Sequence, residues 1–279
     1  MRSRSAEMRL TIATWNINSI RLRIDHMARL AESLRPDILC LQETKVPDHL
    51  FPRDELAAMG YHHLAAHGMK GYNGVAVLSR RPIDAVRTPH WCGRQDCRHL
   101  IVDIAGLEIH CLYVPAGGDI PDPGLNPKFA HKLQFLEELA NWYGETGDPA
   151  RPMVLLGDLN VAPLETDVWS HRQLAKVVSH TPVEIDLLGR LQASLGWVDA
   201  VRHFIPDTER LYTWWSYRAA EWAKSDRGRR LDHIWVSPAL RGRLRSAQVL
   251  REARDWPPPS DHVPVAITLA EDGDQGISR

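Results

Sequence analysis

Met153-Val154-Leu155-Leu156-Gly157-Asp158-Leu159-Asn160 begins with four large apolar residues and ends on a carboxylate and an amide. A short apolar run closed by glycine reads as a buried strand that delivers a polar loop. Other apolar runs, read outward from this one, carry polar clusters at one end. Residues 10–15 run into Trp15-Asn16-Ile17-Asn18, and residues 37–42 run into Leu41-Gln42-Glu43-Thr44-Lys45. Nearer the C-terminus, Arg230-Leu231-Asp232-His233 opens the run 231–236, and Ser260-Asp261-His262 opens the run 263–269. Residues 74–79 form a further strand, and 100–104 with 107–114 read as a hairpin turning at Ala105-Gly106. Helical spacing runs through 20–34, 129–142 and 182–194, while 212–223 combines a short strand with a helical turn. Strands and helices alternate without a linker. The expected architecture is α/β, with residues 9–270 as one domain of two mixed sheets packed face to face under outer helices. Residues 1–8 and 271–279 are expected to be flexible ends.

Composition narrows the class. The chain has 279 residues, 44% hydrophobic and 25% charged, which is ordinary for a soluble globular protein. No run approaches the roughly 18 apolar residues of a spanning helix, and the basic N-terminus has no small-residue cleavage site. Cys40, Cys92, Cys97 and Cys111 show no zinc-type pairing, so reduced thiols and a cytoplasmic location are expected. A net charge of −1 argues against coating nucleic acid by bulk electrostatics. The average hides a local excess, because residues 201–250 carry ten basic and five acidic side chains. Trp214, Trp215, Tyr217 and Trp222 are interleaved with that charge, a mix suited to phosphates and bases together.

Each cluster has a chemical and a plain reading. Glu43 is either a strand-end cap or an oxygen ligand for Mg²⁺ or Mn²⁺. Asn16 and Asn18, on the same side of a strand, either form a turn or offer amide oxygens to the same ion. Asp158 and Asn160, at i and i+2 of an extended segment, either open an Asx-turn or hold and deprotonate a water. The hydroxyl of Tyr113 is either structural or a donor to a phosphate oxygen. Asp232 has the position to orient the imidazole of His262, whereas His233 alternates to the opposite face and reads as structural. No phosphate-binding GxxxxGK[ST] loop, dinucleotide glycine pattern, GxSxG elbow or HExxH helix is present. Metal-assisted phosphoester hydrolysis is the chemistry left.

Taken together and in order, the five clusters resemble the exonuclease III family of apurinic/apyrimidinic endonucleases, over about residues 9–269. The resemblance implies a four-layered α/β sandwich of the DNase I-like kind. It also implies Mg²⁺-dependent cleavage of DNA 5′ to an abasic site, with 3′→5′ exonuclease and 3′-phosphatase action alongside. Carried over by position, Glu43 is implied as the principal metal ligand, with Asn18 and Asp261 near the metal and Asn16 in the surrounding network. Asp158 and Asn160 are implied to align the attacking water beside the metal. Tyr113 and His262 are implied to contact the scissile phosphate, with Asp232 supporting His262. Gly71-Tyr72-Asn73-Gly74 is similar to the family's DNA-backbone loop, and Lys45 is counted with Tyr72 and Asn73 on the DNA side. Trp214 and Trp215 are implied to line the pocket for the base-less sugar. Two positions depart from the pattern: Ala116 stands where asparagine is common, and Arg229 where tryptophan is common. Arg229 is expected to stack on the sugar or pair with a phosphate. The expected partner is double-stranded DNA with abasic sites or blocked 3′ ends, with no membrane, and the expected state is a monomer. A phosphatase for other phosphoesters and a catalytically lapsed nucleic-acid-binding protein are the competing readings.

Overall fold

The apolar runs pair as two six-stranded sheets, in a computed structural model that describes residues 8–218 and 221–271. One sheet is ordered Leu244–Val249 (β13), Val265–Ala270 (β14), Arg9–Asn16 (β1), Ile38–Gln42 (β2), Val75–Ser79 (β4) and His63–His67 (β3). The other is ordered Ala85–Arg87 (β5), His99–Ile104 (β6), Leu107–Tyr113 (β7), Met153–Asp158 (β8), Asp232–Val236 (β12) and Val198–Asp199 (β9). Trp214–Trp215 (β10) and Gly228–Arg229 (β11) form a separate two-stranded ribbon. Both sheets are mixed, since β1 and β2 run parallel, as do β7 and β8, among otherwise antiparallel pairs.

The period of two assigns each strand's side chains to layers. Ile38 and Cys40 of β2 face inward and meet Ile109, Cys111, Val154, Leu156 and Ile234 of the second sheet. Leu39 and Leu41 face outward and pack with Met27 and Leu30 of the helix Ile24–Ser33. On the far side, Leu112, Leu155 and Trp235 pack against the helices Pro127–Thr146 and Pro182–Leu195. Helix, sheet, sheet and helix thus give the four layers expected, and they explain why β2 and β8 read as unbroken apolar runs. Both long helices are set by local chemistry. Asn126 accepts from Lys128 N ahead of Pro127, and Thr181 and Glu184 form a capping box ahead of Pro182.

Register then aligns the polar ends. Tyr113 of β7 pairs with Asp158 of β8, and Asp158 pairs with Asp232 of β12, so three candidate residues form one row across three strands. In the other sheet Asn16 pairs with Gln42, which places Glu43 one residue beyond. β14 lies inside its sheet, between β13 and β1, and holds the preceding Asp261-His262 against the site.

Some expected elements differ. The helix expected over 20–34 starts at Ile24, because Ile20 to Arg23 form a turn whose Arg23 guanidinium donates to Ile17 O and to Pro258 O. Strands β3, β5, β9, β11 and β13 lie outside the strands expected from the sequence. In β13 a bulge between Leu244 and Ser246 breaks the alternation of an exposed edge. The flexible ends expected at 1–8 and 271–279 lie outside the described residues, apart from Met8 and Glu271. Those two are paired, with Glu271 N donating to Met8 O over 2.9 Å. Among the described residues no helix is long and apolar enough to cross a membrane.

Candidate active site

The row Tyr113–Asp158–Asp232 faces the ends of β1 and β2, and the space between is a cavity of about 910 Å³. Glu43, Tyr113, Asp158, Asn160, Trp214, Arg229, Asp261 and His262 all line it. Asn16 ties the two sheets together beneath its floor. Its buried amide donates to Glu43 Oε1 and to Asp158 Oδ2, each over 2.9 Å. Backbone conformation contributes too, since Asn18 (φ 49°), Glu43 (φ 51°), Lys45 (φ 55°) and Asn160 (φ 55°) all sit in the left-handed region. That region is sparsely populated by non-glycine residues, Asn being the commonest exception, and here it turns the four side chains sharply out of their strands. The expected extended spacing of Asn16 with Asn18, and of Asp158 with Asn160, is therefore replaced by turns. Asn16 Oδ1 accepts from Asn18 N at 3.2 Å, and Asp158 Oδ1 accepts from Asn160 N at 3.0 Å. The Asx-turn and the site arrangement coexist, because the turn is what brings the Asn160 amide to 3.1 Å from Asp158 Oδ2.

Oxygen donors gather on one side. Tyr113 donates its hydroxyl to Glu43 Oε1 over 2.9 Å, and Asn18 donates to Asp261 Oδ1 over 3.1 Å. Trp214 Nε1 donates to Asp261 Oδ2 over 3.0 Å. Burial pushes the Glu43 carboxyl up, but the Asn16 bond and the Lys45 ammonium outweigh it and hold it below its ordinary value. Asp261 is likewise held down, against burial, by His262 and by the Trp214 and Asn18 bonds. Both are carboxylates at neutral pH. The Lys45 ammonium lies 2.9 Å from Glu43 Oε2 and also donates to Asn18 Oδ1. The cluster thus already favours positive charge, and its donors are carboxylate and amide oxygens, the set preferred by a hard divalent cation. Residues Glu43, Asn18 and Asp261 fit such an ion.

On the other side sits a charged imidazole. His262 Nδ1 donates to Asp232 Oδ2 over 2.8 Å, and its Nε2 lies 3.7 Å from Asp158 Oδ2. Burial disfavours its charge, but Asp232 and Asp158 prevail and hold its pKa up at about 10. Asp158 is raised to about 7, chiefly by burial and by the nearby Asp232, with His262 pulling against both. The ligand atoms of Asp158, Asp232 and His262 lie within 4.8 Å of one another, close enough to suggest a metal site. With Nδ1 turned to Asp232, the imidazole shares protons with the two carboxylates, and beside this triad Glu43, Asn18 and Asp261 offer a second set of donors made only of oxygens. Tyr113 is driven well up by burial and by Glu43, and stays a neutral donor. His233 bonds to Val161 O at 2.8 Å and falls to about 3, the structural role expected of it.

The residues expected to contact DNA are divided between two cavities and the core. Tyr72 and Asn73 line an adjoining cavity with Arg94, Arg98 and Lys128, and the two cavities meet at Tyr113 and Ala116. Trp214 faces the central cavity with the guanidinium of Arg229 over its ring at 5.3 Å. Trp215 does not. Alternation along β10 turns it into the core, fully buried beside Tyr212, with Nε1 donating to Asp226. Arg229 lines the cavity, but its Nη1 donates to Val178 O at 2.9 Å and Ser179 Oγ at 2.7 Å, so it braces a wall. Two contributors were not anticipated. Thr213 donates its hydroxyl to Asp232 Oδ2 over 2.6 Å, and Lys132, paired with Glu184 behind the site, donates to Asn160 O over 2.7 Å. Nothing local marks Thr213, and the helical spacing around Lys132 gives no sign of an inward-facing ammonium.

A four-layered sandwich with acidic and amide oxygens facing a protonated imidazole defines a class, the enzymes that hydrolyse phosphoesters. The model of the endonuclease/exonuclease/phosphatase family matches residues 13–262, and the chain belongs to that family. It is similar to exodeoxyribonuclease III of Haemophilus influenzae, 29% identical over 262 residues that cover 90% of this chain and 97% of that protein. Among solved structures, an AP endonuclease from Archaeoglobus fulgidus superposes with a TM-score of 0.86 at 34% identity, covering 94% of this chain and all (100%) of that one. A 3′ phosphatase from Neisseria bound to a product DNA hairpin has the same TM-score, 0.86, at 31% identity, again covering 94% and 100% of the two chains.

Proposed function

We propose that the chain is a DNA repair nuclease that hydrolyses the phosphodiester 5′ to abasic sites in duplex DNA and also acts on 3′ ends, as a monomer with Mg²⁺. The observation that carries this reading is the opposition, across one cavity, of an oxygen cluster suited to a cation and an imidazolium held by Asp232. The relatives' named activities on AP sites and 3′ ends support the choice of DNA as substrate.

Glu43, Asn18 and Asp261 would hold the ion, with Asn16 fixing Glu43 relative to Asp158. Bound there, Mg²⁺ supplies Lewis-acid relief of negative charge on the phosphoryl oxygens. His262 and Tyr113 donate to the phosphoryl oxygens on the far side, where charge grows as the nucleophile arrives. Asp158 accepts the proton of the attacking water, and the Asn160 amide fixes that water's direction. A carboxyl raised to about 7 is well matched to this, since a base near the working pH is both available and strong enough. Lys45, Tyr72 and Asn73 contact the DNA backbone, and Trp214 faces the base-less sugar.

A substrate panel tests the reading. Purified protein should cleave duplex DNA with an abasic analogue in preference to inositol phosphates, a phospholipid and a simple aryl phosphodiester. Preference for any of the three small substrates overturns the assignment to DNA.

A further inference from the structure

Beyond Trp214 the cavity wall continues across a ladder of four chain segments. Trp215 N donates to Asp261 O (2.9 Å), Thr213 N to Arg229 O (2.9 Å) and Trp169 N to Gly228 O (3.1 Å). Trp214 bridges to His262 on one side and pairs with Arg229 on the other, and Arg229 bridges to Val168. Trp169 therefore stands three strand spacings from Asp261, roughly 14 Å at about 4.8 Å each. It is half-buried, lines the cavity, and carries the exposed guanidinium of Arg227 over its ring at 4.8 Å. Among the described residues Arg227 has no carboxylate partner.

A deoxyribose bound beside its phosphate and against Trp214 does not span that distance to Trp169. The cavity, about 910 Å³, lies at the upper end of the roughly 300–1,000 Å³ found for pockets that enclose whole small ligands. Indole faces and guanidinium planes are the groups on which unpaired bases stack, with little preference for sequence.

We infer that Trp169 and Arg227 form a stacking subsite for an unpaired nucleobase of the DNA, the base carried by the nucleotide whose phosphate lies at the Glu43–His262 cluster. The inference rests on the nuclease reading and narrows its substrate: a frayed or mismatched 3′-terminal nucleotide uses this subsite, and an abasic residue leaves it empty.

Two duplexes read this directly, one with a mismatched 3′-terminal nucleotide and one with an internal abasic analogue. For Arg227→Ala and Trp169→Ala, the ratio of kcat/KM for terminal removal to that for abasic incision should fall about 5- to 100-fold, the loss expected of one stacked base. Trp169→Phe, which keeps an aromatic face and guards against misfolding of the alanine variant, should recover most of it. An unchanged ratio in both Arg227→Ala and Trp169→Ala contradicts the subsite while leaving the nuclease reading intact. Arg227→Ala slowing both DNAs equally, with a shallower salt dependence, makes it a phosphate contact and also overturns the subsite. A wild type inert on both DNAs removes the nuclease reading and the subsite with it.

Discussion

Oδ2 of Asp232 accepts both the Nδ1 proton of His262, over 2.8 Å, and the hydroxyl proton of Thr213, over 2.6 Å. This carboxylate is fully buried, so its charge is neutralised chiefly by the imidazolium it holds. Replacing it by asparagine keeps the shape and removes the charge. Asp232→Asn should lower the rate by about 10²–10⁴, the range for loss of a positioned acid, and the same substitution should bring the His262 titration down from about 10. Proton NMR of the imidazole in metal-free protein checks it; a His262 resonance titrating alike in both proteins would refute the coupling.

Stability should depend on pH in a stated direction. The folded-state pKa of His262, about 10, lies above its ordinary 6.5, so its contribution is complete below 6.5 and lost as pH rises through 10. Asp158, raised from 3.8 to about 7, works in the same direction and loses its contribution as pH rises through 7. Metal-free protein should therefore become less stable from neutral to alkaline pH, and His262→Gln should flatten the alkaline part. Urea denaturation at pH 6, 8 and 10 measures both slopes, and equal slopes for the two proteins contradict the assignment.

In the proposed function Glu43 would be the carboxylate that holds the ion. Mg²⁺ at about 100 times its dissociation constant should stabilise the wild type by about 2.7 kcal/mol. Glu43→Ala should lose that increment. A matching thermal shift in the variant places the ion elsewhere.

Lys132 and Glu184 are both fully buried and paired, and Glu184 also accepts from Ser179 N and Thr181 N. Removing one partner strands the other's charge, so Lys132→Met should cost about 3–5 kcal/mol in chemical denaturation. A loss under 1 kcal/mol would show that the pair is less isolated from water than its burial implies.

Arg229 offers a sharper test of wall against ligand. Its Nη1 is committed to Val178 O and Ser179 Oγ and its face to Trp214, so Arg229→Ala should weaken abasic-DNA binding without changing the salt slope. A slope smaller by about 0.9 identifies a phosphate contact instead.

How much of this was legible beforehand depended on the kind of signal. Strands buried on both faces, such as β2 and β8, announced themselves as apolar runs, and their polar ends marked the site. β13 did not, because Arg245, Ser246 and Gln248 face outward across a bulge. The pairing of Asp232 with His262 was anticipated from residue types, whereas Thr213 and Lys132 act through contacts between segments far apart in the chain. Trp215 misled because adjacent tryptophans look alike in sequence, while a strand sends them to opposite faces. The left-handed backbone of Glu43 and Lys45 had no local signal, whereas Asn18 and Asn160 are of a type that tolerates it. It is imposed by the packing of loops that the two sheets bring together.

Metal-dependent hydrolysis 5′ to an abasic site is the activity proposed for this cavity. It is tested most directly with a labelled duplex carrying one abasic analogue, incubated with protein in Mg²⁺ or in EDTA. A single incision 5′ to the analogue, leaving a 3′-hydroxyl, should appear in Mg²⁺ alone and vanish in Asp158→Asn. Incision that persists in EDTA, or that falls 3′ to the analogue, contradicts the account.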